Sequence, residues 1–208
     1  MSFSALNLAL AKAGLTELAP HAGAQFETYL ELLLKWNARL NLTAIREREA
    51  ILGRHFVECI QCAQALPELP AGATLLDYGS GAGLPGIPIA ICHPEIRVTL
   101  ADSQGKKAAF LREVARSLGL NSEIFDGRIE EMSAERRFDV VTLRAVDRMA
   151  EACREALFRI VPGGWMVLLV TRAVAVRLPT AFPEVEWERS IAISGSETGE
   201  IVFGRARG

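Results

Sequence analysis

Apolar positions recur along the first seventy residues with the three-and-four spacing of helices. Phe26, Tyr29, Leu30, Leu33, Leu34 and Leu40 mark one face, and Ile51, Leu52, Phe56, Cys59, Ile60 and Ala63 mark a second. The pattern predicts a small helical subdomain over 1–70, closed by the chain-breaking residues Pro67, Pro70 and Gly72. Beyond it the period changes. Short β-like runs at Thr74–Tyr78, Arg97–Asp102, Ser122–Asp126, Phe138–Arg144 and Trp165–Thr171 alternate with helical patterns at Lys106–Leu118 and Asp147–Ile160. Such alternation means βαβ units on a parallel sheet. Val185–Ile193 and Glu200–Ala206 follow with no helix between them, which predicts an antiparallel hairpin at one sheet edge. The expected architecture is α/β: a mostly parallel, doubly wound sheet over 71–208 with an antiparallel edge strand, plus the helical subdomain.

Composition narrows the class. Lys and Arg number 23 against 25 Asp and Glu, a formal charge of −2, which excludes a histone-like polycation. Half of the residues are apolar and 23% are charged, so a disordered chain is excluded as well. The apolar run from Leu84 to Cys92 contains Pro85 and Pro88 and falls well short of the ~20 residues that span a bilayer. Lys12 interrupts the apolar amino-terminal stretch, which lacks the basic start of a secretory signal. A cytoplasmic protein without a membrane partner is expected. The four cysteines, Cys59, Cys62, Cys92 and Cys153, read as reduced thiols. Cys59 and Cys62 form a C-x-x-C in mid-helix with no second pair to complete a tetrahedral site, so no metal is expected there.

The chemistry concentrates after the first strand. Thr74–Tyr78 runs into a turn with Gly79, Gly81 and Gly83 at alternate positions before an apolar helix. Glycines permit the sharp turn and close backbone approach by a ligand. The same residues spell Gly81-Ala82-Gly83-Leu84-Pro85-Gly86, a dinucleotide fingerprint, with an acid at Asp102 about 20 residues on. Asp77, on the strand end, suits a cationic ligand end such as an ammonium or sulfonium better than a pyrophosphate. S-adenosylmethionine therefore fits; a dinucleotide, as in an oxidoreductase, and a glycine turn without a ligand remain the alternatives. Asp102 ends the second strand, where its carboxylate would accept two ribose hydroxyls or merely cap the next helix. Ile129 would flank an adenine, with Glu130 beside it. Arg144, at the end of the fourth strand, would meet an anion: the ligand carboxylate, Glu130, Asp102 or a nucleic-acid phosphate.

Trp36-Asn37, Asn41-Leu42-Thr43-Ala44-Ile45, Arg54-His55-Phe56, the loop Asp77 to Pro88, Leu100-Ala101-Asp102-Ser103 with Gly105-Lys106-Lys107, Gly127 to Glu131 and Asp139 to Val146 together resemble the bacterial ribosomal RNA small-subunit methyltransferase G family. The resemblance covers about residues 26–165. It implies a class I, Rossmann-like methyltransferase that moves a methyl group from S-adenosylmethionine to N7 of a guanine in 16S ribosomal RNA. It implies the RNA, the small ribosomal subunit or its precursor as partner; a monomer is expected, and a methyltransferase with another acceptor is the rival from the same fold. By the match of positions, Gly79, Leu84, Ile129, Glu130 and Arg144 would line the cofactor site, with Asp77, Gly81, Gly83, Asp102 and Ser103 completing it. Guanine N7 carries a lone pair and no proton, so no general base is expected, and Arg144 is the one candidate for a catalytic contact. Arg46, Arg54 and His55, with Lys106 and Lys107, are the candidate RNA contacts, although a buried, hydrogen-bonded His55 is the competing reading. One departure stands out. Family members place a Lys-Gly pair at the end of the fifth strand, where this chain reads Leu169-Val170-Thr171-Arg172, leaving Arg172 as the nearest cation.

Overall fold

The computed structural model describes residues 2–146 and 148–207. Helices α1 (Ser2–Lys12) and α2 (Pro20–Leu40) are followed by a continuous helical run: α3 (Arg48–Ala50), a wide π-helical turn (Ile51–Phe56) and α4 (Val57–Gln64). Pro20 starts α2, where a missing N–H costs least, and Asn41 ends it in the left-handed conformation at φ 50°. Then come β1 (Thr74–Tyr78), α5 (Gly86–Cys92), β2 (Arg97–Asp102), α6 (Gly105–Leu118) and β3 (Ser122–Asp126). A short 3₁₀ turn (Ile129–Glu131) leads into β4 (Phe138–Arg144), α7 (Met149–Leu157), β5 (Ile160–Thr171), α8 (Arg172–Ala175), α9 (Leu178–Ala181), β6 (Val185–Ala192) and β7 (Gly199–Ala206).

The sheet order is β3-β2-β1-β4-β5-β7-β6. All pairs from β3 to β5 are parallel, and β7 runs antiparallel to both β5 and β6. The expected hairpin forms, with β7 as its inner strand beside β5 and β6 at the sheet edge. Strand alternation sorts the core into two layers. Leu75, Leu100, Val140, Val167 and Phe203 meet α1, α2, α4, α5 and α6, whereas Leu76, Val141, Leu143, Met166 and Val202 meet α7 and Phe182. The N-terminal helices thus share one apolar cluster with the sheet. Phe56 anchors them, its ring 5.0 Å from that of Tyr29 and 5.3 Å from that of Phe26, pairs worth about 0.5–1.5 kcal/mol each beyond their burial.

The expected helix at Asp147–Ile160 is shorter. Asp147 lies outside the described residues, the helix ends at Leu157, and Ile160 opens β5. Residues 172–181, where the pattern predicts no helix, form the two single-turn helices α8 and α9.

Candidate active site

β1 and β4 are neighbours although β2 and β3 intervene in sequence, so the strand order reverses between them. A crevice opens at the carboxyl ends of strands at such a point. Here it holds about 290 Å³ and is lined by Tyr78, Gly79, Asp102, Ser103, Ile129, Glu130, Val146 and Arg148. The glycine loop is strapped to the end of β2. Gly81 N–H donates to Asp102 Oδ2 at 2.9 Å, Gln104 N–H donates to Oδ1 at 2.8 Å, and Ser80 N–H reaches the carbonyl of Ala101 at 2.8 Å. From the other side Tyr29, fully buried on α2, donates its hydroxyl to the carbonyl of Ala82 at 2.5 Å. The Asp102 carboxylate is 7% exposed and keeps acceptor capacity on both oxygens.

The structure divides the loop residues by role. Gly79 and Gly81 have φ of 70° and 55°, which an L side chain rarely adopts. A Cβ on Gly79 would come within 3.4 Å of Val146 and narrow the crevice. Gly83 and Leu84 do not face it: a Cβ on Gly83 would lie 2.2 Å from Ile87 Cδ1, and Leu84 is buried in the core. Gly83 answers to helix packing rather than to a ligand.

Asp77 corrects the sequence reading. Its carboxylate is 1% exposed beneath the loop, where Oδ2 accepts Gly86 N–H at 3.2 Å and Oδ1 accepts the Thr142 hydroxyl at 2.8 Å. It therefore touches no ligand in the crevice directly. It occupies the N-terminus of α5, the place where a dinucleotide fold seats its pyrophosphate. Burial pushes its pKa up to about 6, against the hydrogen bonds from Thr142 and Gly86. A carboxyl whose folded pKa is raised contributes stability below its unfolded pKa near 3.8 and loses it as pH rises through about 6. Asp77→Asn removes the charge while its amide oxygen accepts from Gly86 N–H and its NH₂ turns to the Thr142 hydroxyl oxygen, so we expect it to stabilise the fold by about 3 kcal/mol at pH 8 and by nothing at pH 4, from the roughly 2 units between 3.8 and about 6 at 1.36 kcal/mol each. Denaturant melts at the two pH values measure this, and equal stability at pH 8 would refute it.

Arg144 is the second correction. Within the chain its partner is neither Glu130 nor Asp102: Nε and Nη2 donate to Glu58 Oε1 and Oε2, each at 3.2 Å, and Nη2 also donates to His55 Nδ1 at 2.9 Å. His55 is accordingly neutral, its pKa lowered to about 4 by burial and by the Arg144 and Arg54 charges, and Nε2–H donates to Thr43 Oγ1 at 2.7 Å. Asn37 in turn holds Thr43 N–H at 2.9 Å and the carbonyl of Ile45 at 3.1 Å. His55 is thus a link in a chain rather than a free RNA contact. Glu58 went unnoticed because a lone acid on an amphipathic helix carries no signal of its partner.

Arg144 and Glu58 open onto a second, larger cavity of about 800 Å³ beside the crevice, bounded by Arg54, Leu169, Val174 and the turn between β6 and β7. Of the candidate RNA contacts, Arg54 is exposed on its rim, Arg46 donates to Asn41 Oδ1 at 2.8 Å, and Lys106 is exposed on α6. Lys107 lies in the crevice, 4.0 Å from Asp102 Oδ2, and so belongs with the small-ligand site. Arg172 pairs with Glu200 at 2.9 Å and does not line either space. Cys59 and Cys62 are buried free thiols, pushed up in pKa by burial.

S-adenosylmethionine fits these residues. Asp102 offers a nearly buried acceptor for ribose hydroxyls, Ile129 an apolar wall for a purine, and Gly79 a surface without a Cβ opposite Val146. Residues 22–176 match the model of the GidB family, rRNA small subunit methyltransferase G. Among curated relatives, ribosomal RNA small subunit methyltransferase G of Laribacter hongkongensis is 44% identical over 163 residues, 76% of this chain and 77% of that one. Its counterpart from Chromobacterium violaceum is 35% identical over 204 residues, 89% and 96% of the two chains. Among solved structures, the mitomycin 7-O-methyltransferase MmcR superposes with a TM-score of 0.62 at 19% identity, covering 90% of this chain and 69% of that one. TYW2 of P. horikoshii, in complex with MeSAdo, gives 0.60 at 16% identity over 72% and 61%. These two share the fold.

Proposed function

The chain belongs to the rRNA small subunit methyltransferase G family, and from that premise we propose that its crevice binds S-adenosylmethionine for transfer to N7 of an unpaired guanine in 16S ribosomal RNA. It is an S-adenosylmethionine-dependent rRNA methyltransferase, and N7 of guanine is the family's acceptor atom. The observation that carries the assignment is the Asp102 strap, one carboxylate that orders the glycine loop and still faces the crevice. Asp102 would take the ribose hydroxyls, Ile129 would lie against the adenine, and Gly79 would let the methionine portion pass. Glu130 and Ser103 stand on the same wall.

When bound, the cofactor supplies an electrophilic methyl group. The protein's part is placement. N7 needs no deprotonation, and orientation alone supplies ~7–11 kcal/mol in well-aligned reactions. The deep major groove of A-form RNA hides N7, which favours a loop guanine. The enzyme would act as a monomer on RNA or on the small subunit, in the compartment where ribosomes are made; no helix among the described residues is long and apolar enough to cross a membrane.

Incubation of small-subunit RNA with the protein and S-adenosylmethionine, followed by mass mapping, tests this reading: one guanine should gain a methyl group at N7. Methylation of no RNA position would overturn it. A loop variant tests the cofactor seat. Gly81→Val forces a branched residue into φ 55°, a strain of about 1–2 kcal/mol, and pulls its N–H from Asp102. We expect S-adenosylhomocysteine affinity to fall at least about 10-fold while the far-UV dichroism stays native; native affinity would separate the loop from the cofactor.

A further inference from the structure

Resting on that functional reading, we propose that the 800 Å³ cavity seats the acceptor guanine, with Arg144 Nη1 donating to its O6, and that Glu58 and His55 are positioning residues for Arg144. A methyl transferase needs two seats that meet. The crevice and this cavity share Ala145, a non-glycine residue held at φ 51° directly after Arg144. Such a conformation persists only where the surroundings enforce it, and it marks functional sites disproportionately.

The cavity is a built space. Gln61, 6% exposed on α4, donates to the carbonyl of Ala192 and accepts Ser194 N–H, both at 2.9 Å, which fixes the β6–β7 turn against the N-terminal helices. Leu169, Val174 and Met149 supply apolar surface for a purine face. Arg144 stands between these walls, 17% exposed. Nε–H and both N–H groups of Nη2 are committed to Glu58 and His55, while Nη1 meets no acceptor among the described residues. A guanidinium so held offers its remaining donors in one direction.

The major-groove edge of guanine presents N7 and O6 side by side as acceptors. A donor on O6 orients the base and leaves the N7 lone pair open. In the reaction the N7–CH₃ bond forms as the S–CH₃ bond breaks, its electron pair stays on sulfur, and no proton is released. Positive charge therefore moves from the crevice to the purine. Glu58, 18% exposed beside Arg144, offsets the guanidinium charge on the side that becomes cationic, so the donor to O6 does not oppose the transfer. The same arrangement gives a task to the Asn41–Ile45 and Arg54–Phe56 segments: Thr43 fixes the His55 tautomer that accepts from Arg144.

The test is a chemical double-mutant cycle on single-turnover methylation. Wild-type protein and Arg144→Met are each given RNA carrying guanosine or 2-aminopurine, which lacks O6, at the mapped target. We expect each change alone to slow transfer roughly 10- to 100-fold, as the loss of one hydrogen bond from a charged group does, and the two losses not to add. Glu58→Gln, which keeps shape and removes charge, should lower kcat by a similar factor with S-adenosylhomocysteine affinity within about threefold of wild type. Thr198→Trp, in the exposed turn that lines the cavity, should raise the KM for RNA with cofactor affinity equally preserved. Fully additive losses in the cycle, or a Thr198→Trp protein with wild-type RNA kinetics, would overturn the proposal. A wild-type protein that binds S-adenosylhomocysteine and methylates no guanine would instead overturn the functional reading, and this proposal with it.

Discussion

Asp102→Ala is expected to weaken S-adenosylmethionine binding at least 100-fold. Two ribose hydroxyls on a carboxylate are worth about 1.5–3 kcal/mol each, and 3 kcal/mol is already more than a hundredfold in affinity. The substitution also orphans the N–H groups of Gly81 and Gln104, so the loop loses its strap together with the ligand. Lys107, 4.0 Å away, loses its counter-charge. Asp102→Asn retains one acceptor oxygen and should fall between the two. Titration calorimetry with S-adenosylhomocysteine decides the matter: affinity within threefold of wild type, on a natively folded variant, would remove Asp102 from the site.

The second large effect lies outside the crevice. Arg159 is 6% exposed, and its guanidinium donates to three carbonyls in the turn that carries Ile129 and Glu130: Ser133 at 2.6 Å, Ile129 at 2.9 Å and Met132 at 3.0 Å. Arg159→Met fills much of the same volume, leaves the carbonyl of Met132 without a partner, and leaves those of Ile129 and Ser133 with one backbone donor each, from Met132 N–H and Arg136 N–H. One orphaned buried carbonyl at about 1–3 kcal/mol and two further lost hydrogen bonds at about 0.5–1.5 kcal/mol each put the loss of stability at about 2–5 kcal/mol. Cofactor affinity should fall as well, because Ile129, the proposed wall for the adenine, belongs to the same turn. Denaturant unfolding followed by calorimetry on the folded fraction would show both, and a destabilisation below ~1 kcal/mol would mean that water replaces the guanidinium.

The strands were legible because their patterning is local. Thr74–Tyr78, Arg97–Asp102, Ser122–Asp126 and Phe138–Arg144 have the bounds that their apolar runs suggest. Gly79, Asp102, Ser103, Ile129 and Glu130 come together because each follows or ends a strand, and strand ends converge in a parallel sheet. Three side chains have partners that the sequence did not indicate, for a common reason. The side chain of Asp77 turns under its loop, Arg144 finds an acid more than eighty positions earlier, and Lys107 faces Asp102 rather than solvent. Each depends on which of several nearby groups a flexible or alternating side chain meets, and spacing along the chain does not encode that. The boundary at Ile160 failed differently. Its apolar side chain suits a helix end and a strand start equally, and pairing with Phe138 decides for the strand.

The place of β7 inside the sheet has a consequence for the order in which a growing chain acquires its parts. Every residue that lines the crevice lies between Tyr78 and Arg148, ahead of α7. The far wall of the larger cavity consists of residues 193–199, which reach the top of the sheet only when β7 has doubled back between β5 and β6. During synthesis the portion that would hold the methyl donor is therefore complete some fifty residues before the portion that would hold the base. A nascent chain arrested after α7 carries all the residues of the one pocket and lacks the far wall of the other.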